Sequence, residues 1–158
     1  MISPLDALAK ENVTPGEAKR FLRATRRHLK ASRAVRLLGF ELEAVEPGRA
    51  VLRMRAQPHH KQLNGVVHGG ILAAMADTAA AIAAYTTVAK GTALATVELK
   101  INYLEAIPSG EIKADAHVLR TGRNFVVTEC DIFDRKGSLA AKALLTFGAA
   151  GGHSLQKY

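Results

Sequence analysis

The chain has 158 residues, 48% of them hydrophobic, with one cysteine and no tryptophan, which suits a single soluble domain with a sizeable core. The single cysteine excludes an intrachain disulfide and fits a reducing compartment. The formal net charge is +8, but nine Lys and Arg against only three acids lie before residue 39, so the basic character belongs to one segment.

The first predicted element is a basic helix. Thr14, Pro15 and Glu17 fit a capping box with proline at the first helical position, and the helix is predicted to run to about Ser32. One side is apolar, and the other carries Arg20, Arg23, Arg26, Arg27, Lys30 and Arg33. These cations fit a solvated face, a patch for a phosphate-bearing ligand or a nucleic-acid surface. Nucleic acid is disfavoured because no aromatic residues interleave the cations.

Two strands, a long apolar helix at about residues 69–88 and four further strands are predicted after this segment. The strands are expected at residues 40–46, 49–57, 92–104, 111–120, 125–134 and 138–147. Consecutive tight turns indicate an antiparallel sheet, which must cover a helix that is apolar over most of its circumference. We therefore predict an α+β domain over residues 36–150, a helical extension at residues 1–35 and a tail at residues 151–158.

The long helix is not expected to span a membrane, because its alanines are weakly lipophilic and Asp77 would lie near mid-span. The N-terminus has no basic segment followed by an apolar one, so we expect no signal peptide. The predicted location is the cytoplasm.

Asp77 is the only formally charged residue between Lys61 and Lys90. At 100° per residue, the positions that share its helix face are all Gly or Ala, namely Gly70, Ala73, Ala74, Ala80, Ala81 and Ala84. The bulky side chains fall on the opposite side, at Ile71, Met75, Ile82 and Tyr85. An unpaired buried carboxylate costs several kcal/mol, so a carboxylate in a trough of small residues indicates a site that a ligand or another backbone can approach.

Gly69 and Gly70 stand where this helix is predicted to begin. Glycines at a helix start let a ligand reach unpaired backbone N–H groups, which can hold a developing oxyanion. Gly70 and Asp77 lie roughly 10 Å apart along the axis, too far for one carbonyl to touch both. If both serve one reaction, Asp77 must face the glycines of a second subunit related by a two-fold axis.

The pattern Gln62-x5-His68-Gly69-Gly70-x6-Asp77, with the predicted order of strands, resembles the hotdog-fold acyl-CoA thioesterases of the PaaI-like type. This is the family of phenylacetate-pathway and 4-hydroxybenzoyl-CoA thioesterases. The resemblance covers about residues 36–150. It implies a six-stranded antiparallel sheet wrapped around the central helix, an acyl-CoA substrate, and assembly as a homodimer or a dimer of dimers.

The resemblance also implies catalytic roles. The Gly69 N–H would polarise the thioester carbonyl, Gln62 would orient it, and Asp77 would act from the partner subunit as nucleophile or general base. Thr96 occupies the place of a residue that positions water. No cofactor is implied beyond the coenzyme A of the substrate.

Substrate-binding roles are predicted for a second group of residues. His68 is expected mainly to order the loop by hydrogen bonding. Gly70 lies beside Gly69 at the helix start, where a ligand can approach, and Asn64 is an alternative to Gln62 as the functional amide. The turn that resembles the segment contacting the nucleotide end of coenzyme A consists of Thr121, Gly122, Arg123 and Asn124. A planar guanidinium at Arg123 suits a phosphate, and part of the basic helix is a further candidate.

Other functions stay open at this point. A non-catalytic acyl-CoA-binding module would have no need for a charge in an apolar trough, and a hotdog dehydratase acting on a 3-hydroxyacyl thioester usually has a differently spaced motif. An adaptor for nucleic acid or an acidic partner would work through the basic helix. No metal is predicted, since His59, His60 and His68 lack convincing ligand spacing and nearby acids. The residues do not identify the acyl group.

Overall fold

Six antiparallel strands form one sheet, as the sequence predicts, and their order across it is β1-β2-β4-β5-β6-β3. The structure, a computed structural model, describes residues 15–89 and 91–150. Its strands are β1 (Glu41–Glu46), β2 (Arg49–Arg55), β3 (Ala93–Tyr103), β4 (Glu111–Thr121), β5 (Phe125–Phe133) and β6 (Leu139–Ala150). The helices are α1 (Pro15–Ala31), α2 (Arg33–Leu38) and α3 (Gly69–Tyr85), and α3 contacts all six strands.

Two helix boundaries differ from the prediction. The helix α3 ends at Tyr85 and not near residue 88, because the Thr86 hydroxyl donates to the Ala83 carbonyl at 2.6 Å and accepts from the Gly48 N–H at 2.7 Å. The short helix α2 was not predicted; Ser32 caps its start, and Gly39 ends it in the left-handed conformation at φ 66°. Thr14, the predicted cap of α1, and the predicted tail at residues 151–158 lie outside the described residues.

The core lies between α3 and the concave face of the sheet. Its largest fully buried side chains on the sheet include Leu52, Met54, Ile112, Ile132, Leu145 and Phe147. Ala80 and Ala84 are also fully buried, so the expectation that they share the open face of Asp77 was wrong. The sheet covers these two alanines, and the rest of the predicted face stays open: Gly70 is exposed, and Ala73, Ala74, Asp77 and Ala81 are half-buried.

One edge strand of the sheet is covered by a helix, and the other is open. The helix α1 covers β1: Phe21 and Thr25 are buried, and the Arg26 guanidinium donates to the Leu42 carbonyl at 2.8 Å and to the Glu43 carbonyl at 3.2 Å. At the other edge, β3 has 11 residues and no neighbouring strand on its outer side within the described part of the chain. A long unpaired edge is a template for pairing with another chain.

The solvent-facing side of the sheet carries a bidentate ion pair between β2 and β4. The Arg49 guanidinium donates to both oxygens of Asp115, at 2.9 and 2.8 Å, and His117 Nε2 lies 3.1 Å from the same carboxylate. These hydrogen bonds from Arg49 hold the pKa of the Asp115 carboxyl below its usual value, although burial acts in the opposite direction.

This ion pair predicts a dependence of stability on pH. Because the pKa of Asp115 is depressed in the folded state, its contribution is complete above the unfolded pKa of about 3.9 and is lost as pH falls through the folded value. We expect Asp115→Asn to be less stable than wild type by on the order of 1 kcal/mol at pH 7, and the difference to shrink as pH falls below the unfolded pKa of about 3.9. Urea unfolding from pH 7 to pH 3 measures this.

The matched control is Glu111→Gln, which removes a weak and exposed ion pair to Arg53 at 3.8 Å. It should change stability little at any pH. If the curves of Asp115→Asn and wild type run parallel over the whole range, the Arg49–Asp115 pair does not stabilise the fold.

Candidate active site

A tight loop places Gln62 in front of α3. The Gln62 N–H donates to the Val66 carbonyl, and the Gly65 N–H donates to the Gln62 carbonyl, both at 2.9 Å. Gly65 has φ 78°, a conformation that favours glycine. The loop is anchored at its end by the Val67 N–H, which donates to the Ile107 carbonyl at 2.8 Å. The exposed side chain of Gln62 therefore projects from a backbone that is well fixed.

His68 is the N-cap of α3. Its backbone is extended, with φ −66° and ψ 133°, and its Nδ1 accepts a hydrogen bond from the Gly70 N–H at 2.9 Å. The Gly70 N–H is therefore occupied. The Gly69 N–H has no acceptor among the described residues, so it is the donor at this helix start that a ligand oxygen could use.

Tyr103, at the end of β3, packs against the same helix start. Its hydroxyl donates to the Gly69 carbonyl at 2.8 Å. A Cβ on residue 69 would lie 2.8 Å from Tyr103 Cζ, so only glycine leaves room for the ring in this position. No sequence pattern pointed to Tyr103, because its role depends on where the last residue of one strand meets the first residue of a helix.

Gln62 and Gly69 line one cleft of about 420 Å³, together with Leu72, Tyr103 and Ile107. Two members of the predicted catalytic group thus come together within one chain. Asn64, the alternative amide, lies exposed in the preceding turn and does not line this cleft.

Asp77 and Thr96 form a second cluster. Thr96 Oγ1 donates to Asp77 Oδ1 at 2.7 Å, which leaves Oδ2 without a partner among the described residues. A β-bulge at Val97 interrupts the pairing of β3 with β6 next to this contact, and bulges commonly re-aim side chains beside functional sites. Asp77 lies eight residues beyond Gly69, about 12 Å along the helix, so the two clusters are separate within one chain.

The predicted nucleotide-contacting turn lies at the far end of α3. Thr121 Oγ1 donates to Thr87 Oγ1 at 2.7 Å, just beyond the helix, and the Gly122 N–H donates to the Phe125 carbonyl at 2.8 Å. Arg123 and Asn124 are exposed, and their side chains make no hydrogen bond to described residues. Since α3 has 17 residues, this turn lies roughly 25 Å from the Gln62 cleft of its own chain.

Comparison with known proteins identifies the family. The model of the thioesterase superfamily matches residues 64–141. A protein of Saccharolobus solfataricus that carries the name of an esterase is 35% identical over 115 residues, which cover 73% of this chain and 81% of that relative. Human acyl-coenzyme A thioesterase 13 is 30% identical over 116 residues, which cover 72% of this chain and 82% of the relative. The chain belongs to the thioesterase superfamily.

A solved structure gives the same result. The crystal structure of a thioesterase from Haemophilus influenzae matches with a TM-score of 0.80 at 26% identity, covering 94% of this chain and 99% of the other. The family assignment confirms the resemblance found in the sequence, the predicted hotdog fold and the prediction of a thioester-hydrolysing enzyme. Among residues 15–89 and 91–150 of this thioesterase, no helix combines the length and the apolarity needed to cross a membrane.

The basic helix of the thioesterase lies away from these clusters. The helix α1 packs on β1 and α2, whereas Thr96 and Tyr103 belong to β3 at the opposite edge of the sheet. The cations of α1 therefore lie at the opposite edge of the sheet from the site residues of their own chain. That part of this helix binds the substrate's phosphates stays a prediction.

His60 supports the loop from within. It is 1% exposed, its Nδ1 accepts from the Gln57 N–H at 3.1 Å, and its carbonyl accepts from the His68 N–H at 2.8 Å. Burial lowers the pKa of its ring, with a further contribution from His59. The described residues contain no group of three or more His, Cys, Asp or Glu side chains that could hold a metal ion.

Proposed function

We propose that this thioesterase hydrolyses an acyl-CoA thioester to a free carboxylic acid and coenzyme A, at a site completed by a second copy of the chain. The observation that carries the proposal is the lone carboxylate of Asp77, held at one oxygen by Thr96 on the open, small-residue face of α3. A charge in such a place has a chemical use in hydrolysis that simple binding would not require.

The electrophilic half of the reaction uses the start of α3. The Gly69 N–H has no acceptor among the described residues and lies at the positive end of the helix dipole, so it suits the oxygen of a thioester carbonyl as it becomes an oxyanion. Gln62 lines the same cleft and can donate from its amide to that oxygen.

Asp77 supplies the other half. As a general base it takes a proton from water, whose oxygen forms the new bond to the carbonyl carbon. The carbon–sulfur bond then breaks, and the thiolate leaves and is protonated. As a nucleophile, Asp77 would itself form that bond, and water would cleave the resulting anhydride. Thr96 was predicted to position water; its hydrogen bond to Oδ1 favours orientation of the carboxylate instead.

The two halves meet if two copies of α3 lie antiparallel across a two-fold axis. Placing Gly69 opposite the partner's Asp77 puts the axis near residue 73, midway between them, where Ala73 and Ala74 are small enough for close helix approach. The unpaired edge of β3 beside them supplies a second contact, by strand pairing. A homodimer, alone or within a dimer of dimers, follows from this arrangement.

The same arrangement accounts for the turn at residues 121–124. In one chain this turn lies at the far end of α3 from the cleft, but an antiparallel partner would bring its copy beyond the helix start, where the nucleotide end of coenzyme A would extend. Arg123, which is exposed and forms no ion pair within the described chain, can then bind a phosphate. The human relative named as an acyl-coenzyme A thioesterase supports this substrate class.

The first test of the proposed function concerns Asp77. Asp77→Asn and Asp77→Ala should remain folded and lose at least about two orders of magnitude in kcat, because the base or nucleophile is gone. A thiol-release assay over aromatic and aliphatic acyl-CoAs measures this, with circular dichroism to check the fold. Turnover unchanged in both variants would favour an acyl-CoA-binding module, and loss of water from a 3-hydroxyacyl thioester without thiol release would favour a dehydratase.

The second prediction isolates the Gly69 N–H. Proline at residue 69 removes this N–H but suits the first position of a helix, and the extended His68 suits a residue before proline. Alanine keeps the N–H, and both substitutions add the Cβ that meets Tyr103. We expect Gly69→Pro to have a kcat on the order of 10²-fold lower than Gly69→Ala. Equal kcat values in the two variants would show that this N–H does not stabilise the oxyanion.

The third prediction tests the shared site. Asp77→Asn and Gly69→Pro are each expected to be nearly inactive, but a mixed dimer of the two contains one site with neither substitution. Co-expression followed by random pairing makes about half of the dimers mixed and should restore about a quarter of wild-type turnover. If each site were built from one chain alone, the mixture would be no more active than the two parents.

A further inference from the structure

We infer that Tyr103 is a positioning residue that fixes the helix-start peptide beside the oxyanion donor. This inference rests on the proposed function, because it assigns a role within the same site. The hydroxyl of Tyr103 donates its proton to the Gly69 carbonyl, so that proton is already engaged and is not free for the thioester oxygen.

The peptide unit between Gly69 and Gly70 is held at both of its ends. Its carbonyl accepts from the Tyr103 hydroxyl at 2.8 Å, and its N–H donates to His68 Nδ1 at 2.9 Å. Two side chains from different parts of the chain thus fix the orientation of one peptide plane. The N–H of Gly69 belongs to the preceding peptide and shares the Gly69 Cα with this one, so holding this peptide plane limits the directions that the Gly69 N–H can take.

This restraint has a physical purpose. Two consecutive glycines have more backbone freedom than any other pair, and the first N–H groups of a helix have no intrahelical partner to hold them. An oxyanion donor accelerates a reaction only if it is aimed before the charge develops. The tyrosine ring adds a steric restraint, because it lies against the Cα of Gly69, where a Cβ would be only 2.8 Å from Cζ.

The chain offers a matched control in Tyr85. Its hydroxyl also joins α3 to β3, donating to the Leu94 carbonyl at 3.3 Å and accepting from the Leu94 N–H at 3.2 Å. Tyr85 lies at the opposite end of the helix from Gly69. A tyrosine-to-phenylalanine change at either position keeps the ring and removes one hydroxyl between the same two elements, but only the change at Tyr103 frees the Gly69 carbonyl.

The experiment compares steady-state kinetics and urea stability of wild type, Tyr103→Phe and Tyr85→Phe with an acyl-CoA that the wild type hydrolyses. We expect both variants to lose similar stability. The kcat of Tyr103→Phe should fall about tenfold with KM within about twofold, because the lost alignment affects the transition state and not substrate binding. The kcat of Tyr85→Phe should stay at the wild-type value. Tyr103→Leu, which removes the ring as well, should fall further in kcat.

The outcomes are distinct from those of the proposed function. A kcat of Tyr103→Phe equal to that of Tyr85→Phe, or a rise in KM alone, would overturn the positioning role, while an inactive Asp77→Asn would leave the proposed hydrolysis intact. Absence of thiol release by the wild type from every acyl-CoA would overturn the proposed function and this inference with it.

Discussion

The geometry of the site depends on the attachment of one strand to one helix. Three pairs of residues are joined by side-chain hydrogen bonds between α3 and β3: Tyr103 with Gly69, Thr96 with Asp77, and Tyr85 with Leu94. On the helix they fall at residues 69, 77 and 85, eight residues apart, and on the strand they run in the opposite direction. The helix start and the carboxylate are thus aligned against the same strand, so the position of β3 fixes the distance and direction between the two chemical groups.

This attachment explains how a charge is kept beside an apolar helix. Burying an unpaired carboxylate fully would cost several kcal/mol, or the group would take up a proton. A fully exposed carboxylate would be hydrated on all sides, and its proton-accepting oxygen would not be oriented toward a substrate. Asp77 is half-buried, with one oxygen held by Thr96 and the other without a partner in the described chain. The small neighbours Ala73, Ala74 and Ala81 leave that oxygen accessible from one direction, the open face of α3.

Much of this could be predicted from the sequence. The alternation of the strands, the turns between them and the apolar circumference of α3 predict the antiparallel sheet and its central helix. The absence of other charged residues around Asp77, and the pair of glycines at the helix start, point to the two halves of the proposed site. The contacts that could not be predicted join residues distant in the chain: Tyr103 lies 34 positions from Gly69, and its hydrogen bond depends on where β3 ends relative to α3. The burial of Ala80 and Ala84 also depends on distant parts of the chain, because the sheet covers them. The angular spacing of residues along a helix does not show where the sheet lies.

The charge distribution separates the basic helix from the chemistry. The helix α1 covers the β1 edge of the sheet, where the Arg26 guanidinium donates hydrogen bonds to two carbonyls of the strand. This edge therefore has little capacity to pair with another chain. Only the β3 edge remains open within the described chain, and it is the edge that holds Thr96 and Tyr103. A partner that pairs with this edge would at once complete the sheet and bring a second carboxylate to the first helix start. In the proposed dimer, assembly and catalysis are therefore two consequences of the same exposed strand.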